Sequence, residues 1–183
     1  MAYSTMTEAL DALNALTSTG TTLQADLLKL ASNLSVHAEG AVTVLYSGNV
    51  GSKYSGEIID EMLASGKDIR VIKRTFAYDF MESVAFRTKV ADAFGVTFDE
   101  LNSRAPSATV ANNWLNHSTD GPWADASRRF AAASSDDIRI IAPEGDPTRI
   151  LAQTELPVRT KGEPKGSASS FFLRTNHAPS PTH

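Results

Sequence analysis

The chain has 183 residues, 42% hydrophobic and 21% charged, ordinary values for one globular domain large enough to bury a core. A formal net charge of −4 offers no basic stripe to neutralise phosphates, which argues against a nucleic-acid-binding surface. The lack of any cysteine excludes a disulfide framework and thiolate metal sites, and it favours a protein that is, or acts, inside a cell.

In chain order, residues 1–38 read as two helices joined by the turn TSTGTT. Leu10, Leu13 and Leu16 share one face, and Leu23, Leu27, Leu30 and Leu34 share another. The first basic residue is Lys29, so no cationic leader is expected, and no apolar run approaches membrane-spanning length. These helices are expected to cover a sheet or to hold a protein partner, a second copy of the chain included. His37, in the loop that follows, reads as a surface residue.

Ala41 to Tyr46 forms the first predicted strand, ended by Ser47-Gly48-Asn49. A glycine-rich turn then enters a helix from Tyr54 to Ser65. That order can meet an anion, because backbone N–H groups are free at the start of a helix. It has neither Walker nor dinucleotide-fingerprint spacing, and an ordinary strand–helix connection is the commoner meaning. Asp68 to Lys73 is the second predicted strand, parallel to the first across the helix. Thr75, Phe76 and Tyr78 then fall just beyond its carboxyl end, where open α/β sheets bind ligands. One amphipathic helix is predicted from Met81 to Phe94. Asp99 and Glu100 open a short helix, with their charges at the positive end of its dipole. Another helix covers Ala108 to Leu115. The neighbours of His117 lack metal-ligand spacing, so no metal site is expected.

The segment from Gly121 to Glu155 reads as helix, strand, turn and strand. Pro122 suits the first helical turn, and Trp123 and Ser127 stand at i and i+4 on one helix face. Ser134, Ser135, Asp136 and Asp137 break that helix. A strand over 137–142 follows, then a second over 150–155 that delivers Glu155 just before Pro157. Residues 159–183 are rich in Pro, Gly, Ser and Thr and read as a flexible tail.

The order Trp123, Ser127, Arg128-Arg129-Phe130-Ala131, a strand, and then Glu155 resembles the C-terminal half of the ADP-ribosyl cyclase / NAD glycohydrolase family. The resemblance implies an α/β fold: N-terminal helices plus a small, mainly parallel four-stranded sheet (41–46, 68–73, 137–142, 150–155) flanked by helices. It divides the chain into an N-terminal helical segment, 1–38, a catalytic region, 39–158, and the tail. It implies a dinucleotide, NAD or NADP, as substrate rather than as a resident cofactor. A cysteine-free member would be similar to the NAD-depleting toxins and effectors of microbes, cytoplasmic or delivered into a target cell's cytoplasm.

Glycohydrolase chemistry needs little from a general acid, because the departing nicotinamide is already cationic. It needs an anion near the oxocarbenium-like centre. The resemblance gives that role to Glu155, which would hold the ribose hydroxyls as well. Trp123 and Tyr46 would border the nicotinamide, Tyr46 standing where the family has Trp, and Ser127 would bond near the reacting sugar. Ser47, Thr75, Phe76 and Arg128 complete the expected substrate contacts, while Arg129 reads as a helix-surface charge. The family's cyclisation-tuning Glu aligns either with Lys73, so that the carboxylate is lost, or with Asp99. Water capture, giving ADP-ribose, is therefore favoured over cyclisation. Two other classes fit the same residues: a nucleotide-binding module without turnover, and a partner-binding domain built on the N-terminal helices.

Overall fold

A computed structural model describes residues 2–47, 49–50, 53–134 and 137–141. Among them are eight α-helices and a three-stranded parallel sheet, a mixed α/β architecture as expected. Helices α1 (Met6–Asn14) and α2 (Gly20–Ser32) come first, followed by strand β1 (Val42–Tyr46). The glycine-rich turn carries a small antiparallel ladder, β2 (Asn49–Val50) with β3 (Lys53–Tyr54), before α3 (Ser55–Ala64). Strand β4 is only Ile69–Arg70, and a 3-10 turn, Ile72–Arg74, follows it. Helices α4 (Phe76–Met81), α5 (Val84–Phe94), α6 (Phe98–Asn102) and α7 (Thr109–Leu115) lead to α8 (Pro122–Ala132) and β5 (Ile138–Ile141). The predicted strand 150–155 lies outside the described residues.

The sheet order is β4-β1-β5, with both neighbours parallel to the central β1. Alternation along β1 separates its two faces. Val44 packs with Ile59 of α3 and with Ile69 and Val71, while Leu45 packs with Phe130 of α8 and Ala38. Burying side chains such as Ile59 and Phe130 stabilises each interface by about 1.5–3 kcal/mol per residue. Gly40, just before β1, adopts φ +140°, and a Cβ there would collide with the backbone of Ile69 and Arg70. Glycine lets the chain pass that close to β4.

The largest core lies among the helices. Ala9 and Leu13 of α1 and the predicted stripe Leu23, Leu27 and Leu30 of α2 join Phe80, Phe86, Val90, Leu101, Leu115 and Ala126 there. The apolar faces of α1 and α2 thus pack against other helices of their own chain.

Two predicted elements are shorter than expected. The helix from Met81 to Phe94 is broken at Glu82-Ser83, where Ser83 is extended and its hydroxyl accepts from the Phe86 N–H at 3.3 Å. A capping serine starts a new helix, so the apolar periodicity runs through two short helices. The strand from Asp68 to Lys73 ends at Arg70, because Ile72–Arg74 turns into a 3-10 helix.

Candidate functional site

The carboxyl end of the sheet is the natural place for a ligand. From β1 the chain reaches β4 on one side and β5 on the other, so the strand order reverses at β1, the kind of position where open α/β sheets bind ligands. Tyr46 and Ser47 stand at that end. Tyr46 pairs in register with Ile141, and the Ser47 N–H donates to the Ile141 carbonyl at 2.9 Å. Tyr46 packs with the cluster on the α3 face, alongside Val42 and Met62. Beyond Ile141 the chain continues toward Glu155, which lies outside the described residues.

Helix α8 runs back from the start of β5. Its C-terminal end is tied to the sheet by Arg70, whose guanidinium donates to the Ala133 carbonyl and lies 5.0 Å from the centre of the Phe130 ring. Burial pushes the Arg70 guanidinium below its ordinary range. At the other end of α8, Trp123 meets Tyr78 of α4, ring centres 5.4 Å apart and planes at 57°. Trp123 is half-buried against the helical core, and Ser127, on the same helix face, is buried with 6% exposed. Trp123 therefore packs on the helical core through Tyr78, whereas Tyr46 packs on the α3 face of the sheet.

The two arginines of α8 serve the fold. Arg129 was expected as a surface charge. Instead its guanidinium donates to the carbonyls of Leu34 at 2.6 Å and Ala31 at 2.9 Å, while its Nε meets Asp125 at 2.8 Å. It caps the last turn of α2, where a cation also suits the dipole. Arg128 donates to the Thr119 carbonyl at 2.6 Å and pairs with Asp125 at 3.4 Å. Its side chain stays 43% exposed and lines an open cavity of about 510 Å³ with Lys29, Asp120 and Leu28.

Beyond β4, Thr75 is fully buried and caps α4: its hydroxyl accepts from the Tyr78 N–H at 3.2 Å and donates to the Ile72 carbonyl at 2.7 Å. Phe76 packs on Phe80, ring centres 6.0 Å apart, and on the helical core. The Thr75 hydroxyl is thus taken up by the cap, because the residues after β4 wind into a helix, while Phe76 stays partly exposed. Tyr78 is the aromatic that reaches Trp123 instead. Burial, and then the Glu82 carboxylate, raise its phenol above the ordinary range. Its place after the predicted strand was readable in the sequence; its pairing with Trp123 was not, since the two lie far apart in the chain.

Of the two positions aligned with the tuning Glu, Lys73 is ion-paired with Asp60 at 2.7 Å, and Asp99 stands in the first turn of α6, which packs on α5 and α7. Sequence reasoning missed Ser55, the first residue of α3. It is fully buried, and its hydroxyl has no hydrogen-bond partner among the described residues. A serine at the first position of a helix gives no sequence sign of whether its hydroxyl will be buried.

Among the described residues no grouping of His, Asp and Glu could hold a metal ion, and no helix is long and apolar enough to cross a membrane. No protein-family model, curated protein or solved structure matches this chain.

Proposed function

We propose that the chain is an NAD(P) glycohydrolase, cleaving the nicotinamide–ribose bond to release nicotinamide and ADP-ribose. The observation that carries this reading is the placing of Tyr46-Ser47 at the carboxyl end of the central strand, with Trp123 at the end of α8 remote from the start of β5. A dinucleotide lying across that end would meet the Tyr46 ring from the α3 face and would need to reach the Trp123 indole at the start of α8. Stacking on a cationic pyridinium suits both rings. Glu155 would supply the anion facing the oxocarbenium-like centre, and water would take the sugar.

Incubation of the protein and of Glu155→Gln with NAD, with nicotinamide and sugar products separated by chromatography, tests the proposal. Release by the wild type, reduced by a few orders of magnitude in the variant, is the expected result. Equal release by both would remove Glu155 from the mechanism. A second reading, nucleotide binding without turnover, is favoured by the near-complete burial of Ser127 and by the capping bonds that occupy the Thr75 hydroxyl. Saturable NAD binding with no nicotinamide released would establish that reading in place of the first.

A further inference from the structure

Helix α3 begins on the same side of the sheet as Tyr46, close to the carboxyl ends of β1 and β4. Ser55 lies four residues before Ile59, which packs on Val44 and Ile69, so its side chain shares the face turned to the sheet. The hydroxyl is wholly buried and has no partner among the described residues. Buried hydroxyls nearly always find a partner, so one left open beside the free N–H groups of a ten-residue helix marks a place kept for an acceptor.

Two further groups converge there. A Cβ added to Gly56 would come within 3.9 Å of the Lys73 ammonium, so that cation stands beside the first turn. It would also meet the Tyr54 ring at 2.9 Å. Glycine at this position puts no side chain between the helix start and these groups, and Tyr54 remains 53% exposed. We propose that the first turn of α3, with Ser55, the Gly56 N–H and Lys73, binds a phosphate or diphosphate group of a small molecule, the Tyr54 ring swinging aside to admit it.

Helix N–H groups, a hydroxyl donor and an ammonium form the donor set such a group requires. Asp60 holds the ammonium at 2.7 and 2.8 Å and acts as the internal competitor. Glu57, whose carboxylate accepts from the Tyr54 N–H at 3.3 Å, is the other acid of this turn. The site does not depend on glycohydrolase activity, because it would bind an anion that has no nicotinamide to lose.

Titration of the full chain with inorganic pyrophosphate at low salt, followed by amide NMR shifts and calorimetry, tests this. Saturable binding is expected, with the largest shifts at Ser55 and Gly56. Affinity should fall at least tenfold in Gly56→Ala and several-fold in Ser55→Ala, and it should rise several-fold in Asp60→Asn. Asp60 is largely exposed, and its replacement keeps the fold, so it remains informative should Gly56→Ala fold poorly. No saturable binding by the wild type, or binding that Ser55→Ala and Asp60→Asn leave unchanged, would overturn the proposal. Loss of nicotinamide release with pyrophosphate binding intact would refute the glycohydrolase reading alone.

Discussion

Arg129 ties α8 to the end of α2 and the segment after it through the Ala31 and Leu34 carbonyls, while its own helix holds it through the Asp125 carboxylate. Hydrogen bonds made by a charged group contribute about 1.5–3 kcal/mol each, and removing one partner leaves the others short of a donor. Arg129→Ala is therefore expected to lower stability by about 2–4 kcal/mol in urea unfolding. Arg129→Lys should recover less than half of that loss, because a single ammonium cannot reproduce the planar fork. An unchanged midpoint in Arg129→Ala would refute the clamp. The Arg-Arg pair was visible in the sequence, but which of the two would be half-buried depended on where α2 ended. Thr75 makes the same point. A threonine after a strand suits a binding loop or a cap equally, and only the helix that forms after it selects the cap.

Helix ends decide much at the scale of elements. Thr97 and Glu100 form a capping box at the start of α6: the Glu100 N–H donates to the Thr97 hydroxyl at 3.1 Å, and the Glu100 carboxylate accepts from the Thr97 N–H at 2.8 Å. That backbone N–H first, and then the Ser107 and Thr97 hydroxyls, hold the Glu100 carboxyl below its ordinary range. The folded pKa is below the unfolded one, so the stability contributed is present above about pH 4.5 and is lost as pH falls through the folded value. Glu100→Gln should accordingly flatten the acid side of a stability-versus-pH curve measured by urea unfolding. An acid limb identical to the wild type would exclude the coupling. The carboxylates at 99–100 marked this helix start in the sequence, since capping is local chemistry. The division of Met81 to Phe94 into two helices was less legible, because apolar spacing continued through the break while a single serine hydroxyl redirected the backbone.

The whole molecule joins a helical body to a small sheet. Because α1 and α2 supply Leu13, Leu23, Leu27 and Leu30 to the core that also holds Phe80 and Phe86, a chain lacking residues 1–38 should lose cooperative unfolding and expose apolar surface to dye. A cooperative transition in that truncated chain would restore the view of 1–38 as a separate segment. The sequence by itself determined the α/β class, the positions of the three parallel strands, most helices and the leucine stripes, because periodicity, breakers and caps act over a few residues. Only the tertiary structure decided that Tyr46 packs on the α3 face, that Tyr78 meets Trp123, that the α8 arginines reach backbone carbonyls of neighbouring segments, and that Ser55 is buried with no partner among the described residues. Those outcomes depend on contacts between residues distant in the chain, which no local pattern encodes.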